Sequence, residues 1–139
     1  MRAPHFMQLA RIDGHRFVTA CRHGLVHVTW GRVTMRLSRD EFRRLTSLLE
    51  RTEDSLLPSS GRHGEIQVTC RADEDCEVRV GGWILLLSPT DFQTFLKAAQ
   101  QAVQRLDEIL ASGIWDADEA EDTQPSFLDQ LRQHTFSDN

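Results

Sequence analysis

The feature that most constrains this chain is a segment that occurs twice, fifty residues apart. Residues 30–49 read WGRVTMRLSRDEFRRLTSLL, and residues 80–99 read VGGWILLLSPTDFQTFLKAA. The matches fall on positions that decide local structure: Gly31 with Gly81, Met35 with Leu85, Leu37 with Leu87, Ser38 with Ser88, Glu41 with Asp91 and Phe42 with Phe92. This pattern predicts two copies of one structural unit.

Each copy predicts a strand that leads directly into a helix. Residues 33–37 alternate between apolar and polar side chains, which is the period of a half-buried strand. Residues 38–41 and 88–91 then have the spacing of a capping box, in which a serine oxygen and a carboxylate satisfy free backbone N–H groups of the first helical turn. We expect the first helix to end near Arg51 and the second to span residues 89–112.

Two further strands precede the repeated segment in each copy. VHVTW and CEVRV lie before the glycine turns, and RFVTACR and EIQVTCR lie before those. The sequence therefore predicts an α+β fold with an internally duplicated βββα unit, six mainly antiparallel strands and two helices packed on one face. We expect a single domain over residues 1–113, with repeat one at 14–51 and repeat two at 62–113. Residues 114–139 are expected to form an acidic tail with a short helix.

Composition narrows the class of protein, and the charged residues are distributed unevenly along the chain. No apolar run approaches the roughly 20 residues that cross a bilayer, and the amino-terminal residues lack a signal-peptide pattern. Three cysteines without dense spacing suit a reducing compartment, so we expect a cytoplasmic protein with no membrane contact. Residues 1–51 carry ten basic and four acidic residues, whereas residues 52–139 carry six and seventeen. This division fits either a basic face with a competing acidic tail or a fold that mixes the charges on one surface.

The two copies differ in three places, and the first is the length of the second helix. Its apolar residues recur at spacings of four and three, the seam of a helix that meets another helix. Because the first helix is shorter, the distal seam is expected to lack a partner within the fold and to form a homodimer contact. Packing on the sheet and on the first helix is the simpler alternative. The distal seam consists of Val103, Leu106 and Leu110.

The second difference lies in the last strand. Where the first copy has Thr34 and Arg36, the second has Ile84 and Leu86, so the run WILLL is apolar on both faces. Such strands are usually central in a sheet or covered from behind. We therefore expect a second subunit, a partner or the chain's own tail to contact Ile84 and Leu86.

The third difference is the tail that follows the second copy. Residues 116–125, DADEAEDTQP, hold five acids in the first seven positions and no aromatic residue, which suits a solvated linker. The next segment, SFLDQLRQHTF, places Phe127, Leu128 and Leu131 on one side of a predicted short helix. Its composition resembles a docking peptide. The alternative is a terminal helix that folds back onto the last strand of its own domain.

An arginine cluster supports a second interpretation, which is binding of nucleic acid. Five arginines surround the first strand-to-helix junction, where they are candidate phosphate contacts. Against this, the whole chain is acidic, and the predicted strands offer no exposed aromatic platform of the kind that single-strand binders use. The five are Arg32, Arg36, Arg39, Arg43 and Arg44.

Metal binding and catalysis find weak support in the sequence. Cys21, His23 and His27 are candidate ligands, but their spacing matches no strong zinc pattern and no C-x-x-C pair occurs. We expect Cys21 and Cys70 to be unpaired residues that point inward as small apolar side chains. Neither a nucleophile elbow nor a phosphate-binding glycine loop is present, so the sequence predicts no enzyme, no cofactor and no metal site.

These features favour a non-catalytic protein–protein interaction module, which acts as an adaptor, a chaperone-like protein or a regulatory subunit. We expect a homodimer or a component of a larger assembly, in which the long second helix, the outer sheet face and the C-terminal peptide contact the partner. The alternative is a nucleic-acid-binding regulator that uses the arginine cluster and is inhibited by its acidic tail.

Overall fold

A computed structural model describes residues 4–54, 59–71 and 74–115. The chain is α+β, and each half consists of four strands followed by one helix. The first half contains β1 (Phe6–Asp13), β2 (Arg16–Cys21), β3 (Leu25–Trp30), β4 (Val33–Ser38) and α1 (Arg39–Asp54). The second half contains β5 (Ser59–His63), β6 (Ile66–Cys70), β7 (Cys76–Val80), β8 (Trp83–Leu87) and α2 (Pro89–Ser112).

The strands form two separate antiparallel sheets rather than one six-stranded sheet. Sheet 1 has the order β1-β2-β3-β4, and sheet 2 has the order β5-β6-β7-β8. The prediction of three strands per unit is wrong, because each half begins with one more strand. In β1 the alternation of side chains is broken by register shifts between Gln8 and Ala10 and between Arg11 and Asp13. In β5 the sequence SSGRH has no apolar residue, so it lacks the alternation that marks a half-buried strand.

The repeat at an offset of fifty residues also includes the turns that join the strands. Gly31 N donates to His15 O at 2.8 Å, and at the corresponding positions Gly81 N donates to Glu65 O at 3.1 Å. Both glycines have positive φ, 67° and 57°, a conformation that costs a side-chain-bearing residue free energy. The two turns therefore have the same geometry, because each needs a residue with positive φ at the same position.

Both helices begin at the predicted caps. Glu41 N donates to Ser38 Oγ at 3.0 Å, and Ser38 N donates to Glu41 Oε1 at 2.8 Å, which completes the capping box of α1. Asp91 N donates to Ser88 Oγ at 3.1 Å at the start of α2. The predicted span of α2 is confirmed, and its last turn ends at Gly113, which has left-handed backbone geometry.

The helices are exchanged between the two halves. Helix α1 packs against β5 and β6 of the second half as well as against β3 and β4, whereas α2 packs against β1 and β2 of the first half. The two helices also contact each other, and Gln100 Nε2 donates to Glu50 Oε2 at 2.9 Å. Because these two residues are equivalent under the fifty-residue offset, an approximate twofold axis passes close to their contact.

One continuous core forms between the exchanged helices and the inner faces of the sheets. It contains inward-facing strand residues such as Val28 and Val78 together with Phe42 and Phe92 from the helices. Trp115 is 2% exposed and donates from Nε1 to Pro4 O at 3.0 Å. The fold therefore extends past residue 113 to Trp115, beyond the boundary predicted for the tail.

Close packing of α1 on β5 explains a glycine in that strand. A Cβ atom added to Gly61 would lie 2.8 Å from Leu48 Cδ2, and Leu48 is itself 1% exposed. We predict that Gly61→Val lowers the free energy of unfolding by about 1–3 kcal/mol, because an overpacked core must shift to admit the side chain.

Urea denaturation of the variant measures this effect. The matched control is Gly14→Ala, since Gly14 has no atom within 4 Å of an added Cβ and its φ is not positive, and this change should stay within about 0.5 kcal/mol. Equal stabilities for the wild type and Gly61→Val would contradict the described contact between α1 and β5.

Candidate functional site

The exchanged helices cover the inner faces of both sheets, and no helix of the described residues packs on the outer faces. On sheet 2 the exposed apolar side chains of the outer face lie on β8, where Ile84 is 51% exposed and Leu86 64%. We call these two residues the β8 patch. Trp83, 51% exposed at the start of the strand, lies by alternation on the same side as the buried Leu85 and Leu87. A cluster of large apolar side chains at this exposure is more informative than scattered ones, because contiguous apolar surface marks interaction sites.

The β8 patch lies on an edge strand. Strand β8 pairs only with β7 within the described chain, so one row of its backbone N–H and C=O groups has no partner strand there. Its outward neighbours on β7 are Glu77, opposite Leu86, and Arg79, opposite Ile84. These two charges form an ion pair with each other, so they do not place an uncompensated charge beside the patch.

The corresponding edge of sheet 1 is polar. On β4 the outward positions hold Thr34 and Arg36, both exposed, and the hydroxyl groups of Thr34 and Thr29 lie 3.1 Å apart. Charged and polar residues of this kind are a common protection of strand edges against pairing with another chain. Strand β8 lacks that protection at the equivalent positions.

The apolar run WILLL predicted a strand that is central in its sheet or covered from behind. Within the described residues β8 is an edge strand and not a central one, and its cover by a second subunit, a partner or the tail stays a prediction. Leu85 and Leu87 face the core, whereas Ile84 and Leu86 point outward from an edge strand. Strand β8 therefore has the sequence of a covered strand, but within the described residues its outward side chains are exposed.

The distal part of α2 does not match its predicted role. Leu106 is 0% exposed, and Val103 and Leu110 are partly buried against the core. The reason is β1, which the sequence interpretation missed and against which α2 packs. The argument that this seam lacks a partner within the fold therefore does not hold. The tail residues Phe127, Leu128 and Leu131 lie outside the described residues.

The five arginines of the predicted nucleic-acid site do not present one continuous surface. Arg39 is half-buried, donates to Cys21 O and Arg22 O at 3.4 and 3.5 Å, and lies 5.5 Å from the Trp115 ring centroid. Arg43 is ion-paired with Asp107 on α2. Both arginines therefore have structural contacts, and the exposed members of the cluster are Arg32, Arg36 and Arg44.

The outer side of sheet 1 also carries residues that the sequence interpretation missed, because β1 adds Phe6, Gln8 and Arg11 there. Phe6 is 58% exposed, and its ring contacts His27 edge-on, with centroids 5.6 Å apart. Arg11 is opposite Phe17 in the β1–β2 register. The expectation of no exposed aromatic platform concerned the predicted strands, and Phe6 lies on β1, which was not among them. The alternation of Phe6 and Gln8 with Met7 and Leu9 was the sequence signal for β1. It is short, because the register shift after Gln8 breaks the two-residue period.

His27 is a largely neutral ring at physiological pH. Burial lowers the pKa of His27 below its ordinary value, and the nearby Arg36 guanidinium lowers it further. Because the folded-state pKa of His27 is lowered, the unfolded state binds the proton more readily, so stability declines as the pH falls below the unfolded-state value of 6.5 and through the lower folded-state pKa.

The candidate metal ligands are not assembled. Within residues 4–54, 59–71 and 74–115, no three His, Cys, Asp or Glu side chains gather where they could hold a metal ion. Cys21 is a buried free thiol, His23 is exposed and His27 is part of the outer face of sheet 1.

Cys70 is not unpaired as predicted, since it forms a disulfide with Cys76. The two residues are direct cross-strand partners in the β6–β7 register. At the offset of fifty they correspond to Ala20 and Val26, which are also direct partners, in the β2–β3 register. The disulfide therefore replaces an inward apolar pair.

Comparison of the chain with protein-family models, with curated proteins and with solved structures finds no match. Neither helix of the described chain combines the length and the apolar character that crossing a bilayer requires.

The disulfide leads to a testable prediction about stability. Cys70→Ala/Cys76→Val gives the second half the pair found in the first, so it removes the crosslink with little loss of packing. A bond that closes a loop with a sequence separation of 6 stabilises by about 2 kcal/mol through the entropy of the unfolded chain, and the variant should be less stable by about that amount in urea denaturation.

Thiol counting provides the control. Maleimide labelling in denaturant should detect one thiol without reductant and three with reductant, because only Cys21 is free. Three thiols in both conditions, together with a variant as stable as the wild type, would show that the crosslink does not form.

Proposed function

We propose that this protein is a non-catalytic interaction module that binds an extended segment of another protein along β8. The observation that carries the proposal is the exposure of Ile84 and Leu86, 51% and 64%, on an edge strand whose counterpart β4 holds Thr34 and Arg36. Inner positions of the two halves are constrained by packing, whereas these outer positions are not. Packing within the fold does not require apolar residues at Ile84 and Leu86, whereas contact with a partner would.

The size of the β8 patch defines the kind of partner. Fully burying a Leu or Ile side chain contributes roughly 1.5–3 kcal/mol, so covering the exposed parts of Ile84 and Leu86 contributes about 2 kcal/mol. A micromolar complex requires about 8 kcal/mol. Side-chain burial at this patch is therefore insufficient alone, and the partner needs further contacts nearby.

The edge of β8 supplies those contacts. A partner segment in extended conformation would pair with the backbone N–H and C=O groups of β8 and place alternate apolar side chains against Ile84 and Leu86. Strand addition of this kind uses backbone hydrogen bonds for affinity and alternate side chains for specificity, which suits an adaptor or a regulatory subunit.

Two other proposed contacts have less support. Burial of Leu106 argues against a homodimer through the distal part of α2. The nucleic-acid alternative through the arginine cluster is weakened because Arg39 and Arg43 have partners within the fold. The proposal therefore rests on β8 alone.

A displayed library of random twelve-residue peptides tests the proposal with the full chain as target. We predict enrichment of peptides with apolar residues at alternate positions, since one face of an added strand meets the β8 patch. Ile84→Thr/Leu86→Arg, which gives β8 the outer residues of β4, should weaken binding of a selected peptide at least tenfold while the stability of the fold changes by no more than about 0.5 kcal/mol.

The matched control is Ile114→Arg, because Ile114 is an exposed apolar residue, 41% exposed, outside β8. It should leave peptide affinity unchanged. Selected peptides without alternation, or a double variant that binds them as tightly as the wild type, would refute docking at β8. Sedimentation separates a further case: a dimer that the double variant converts to a monomer identifies the occupant as a second copy of the chain.

A further inference from the structure

We propose that the segment bound at β8 runs antiparallel to it and hydrogen-bonds to the backbone of Ile84 and Leu86. The same two partner residues then supply both the hydrogen bonds and the apolar contacts with the β8 patch. This inference rests on the function proposed for β8, and it adds the orientation of the partner, its register and the sequence pattern that it must carry.

The first observation that fixes the register is the position of the disulfide. Cys70 and Cys76 lie directly opposite each other on β6 and β7, with their Cα atoms 4.2 Å apart. In antiparallel sheets, opposite residues that exchange backbone hydrogen bonds have Cα atoms about 5.5 Å apart, whereas pairs that do not are about 4.5 Å apart. The backbone N–H and C=O groups of Cys76 therefore point away from β6 and toward β8.

The second observation comes from the other end of β7 and gives the same result. Gly81 N donates to Glu65 O at 3.1 Å, one position beyond the pair formed by Val80 and Ile66. Because bonded and non-bonded pairs alternate along an antiparallel ladder, the N–H and C=O groups of Val80 point away from β6. Val80 and Cys76 are four positions apart on β7, so the alternation requires the same direction for both.

This register determines which backbone groups of β8 lie on the free edge. The β7 residues that point toward β8 are Cys76, Val78 and Val80, and they lie opposite Leu87, Leu85 and Trp83. These three residues of β8 therefore use their backbone groups to bond β7. The N–H and C=O groups of Ile84 and Leu86 point the other way, where no strand of the described residues pairs with them. The free edge and the β8 patch thus belong to the same two residues.

An antiparallel partner uses this coincidence fully. The partner residue directly opposite Ile84 would exchange both hydrogen bonds with it and place its own side chain beside that of Ile84 on the outer face. In a parallel partner, the bonds would come from the residues on either side of the opposite one, whose side chains point to the inner face. Antiparallel bonds are also slightly more stable per residue, and all strand pairs of sheet 2 are antiparallel.

The size of the edge favours a short extended segment over a second folded copy of the chain. Stable interfaces between folded proteins use roughly 20–30 residues on each side, whereas β8 has 5 residues. The partner pattern is apolar-x-apolar, with valine or isoleucine favoured because β-branched side chains suit a strand. Proline is excluded at both apolar positions, since it has no N–H to donate to the C=O groups of Ile84 and Leu86.

Hydrogen exchange of the free full chain, resolved by residue with NMR, tests the register without any partner. We expect the amides of Ile84 and Leu86 to exchange at least about tenfold faster than those of Leu85 and Leu87, because only the latter are bonded to β7. Slow exchange at Ile84 and Leu86 would overturn the inference, whether the other two amides are fast, which reverses the register, or slow, which shows an edge already paired.

A peptide selected by display on the full chain tests the orientation. Single amide-to-ester changes along its apolar stretch each remove one N–H donor and leave the side chains unchanged. We expect an ester at either apolar position that meets the β8 patch to weaken binding about three- to tenfold, the effect of one lost hydrogen bond. An ester at the residue between them is the matched control and should leave the affinity unchanged.

The ester series separates failure of this inference from failure of docking at β8. Loss of affinity at the intervening residue, with none at the apolar positions, would show a parallel partner and would overturn the orientation while strand addition at β8 still held. Equal affinity for every ester, or a selection that yields no peptide, would refute strand addition itself and the inference with it.

Discussion

The structure depends on the exchange of the two helices. Helix α1 packs mainly on β5 and β6 and also contacts β3 and β4, whereas α2 packs mainly on β1 and β2 and also contacts β8. Neither half therefore closes its own core, and each supplies the layer that the other lacks. The contact between Glu50 and Gln100 marks the approximate twofold axis of this exchange, and the tight approach of Leu48 to Gly61 shows how closely the exchanged helix fits.

This exchange determines where function can reside. Both inner faces are filled by helices, so their residues are apolar in both copies, and the disulfide between Cys70 and Cys76 takes the place of the apolar pair Ala20 and Val26. The outer faces carry no such constraint, and there the copies differ. Sheet 2 ends in an apolar edge at Ile84 and Leu86, whereas sheet 1 carries arginines and aromatic rings. One fold thus presents two chemically different outer surfaces, and we propose an added protein strand as the partner of the surface at β8.

Local sequence signals predicted the parts of the fold that local interactions decide. The capping box at Ser38 and Glu41, the cap at Ser88 and the glycine turns depend on residues a few positions apart, so each is readable from the sequence. Strand β1 was missed because its bulges break the two-residue period, and β5 because SSGRH contains no apolar residue. These are the strands on which the exchanged helices rest, which is why the layering of the sheets and the burial of Leu106 were also missed.

The candidate sites also combine features that the sequence alone shows with features that depend on contacts between strands. The replacement of Thr34 and Arg36 by Ile84 and Leu86 was visible in the sequence, but whether those residues were covered depended on the position of β8 in its sheet. The disulfide required the register of β6 against β7, in which Cys70 and Cys76 occupy the places of Ala20 and Val26. Phe6 and Arg11 face the same side as His27 only once β1 is placed at the edge of sheet 1. Each of these depends on contacts between residues distant in the sequence.

Native-state hydrogen exchange of the full chain is the most direct test of the exchanged helices. If each half completes the core of the other, the slowest amides of β2 and β3 and those of β6 and β7 should exchange with the same free energy of opening and lose equal amounts of it as denaturant is added, because the halves unfold together. Two groups of amides, one for each half, with different opening free energies would show that each sheet folds with its own helix and would contradict the account.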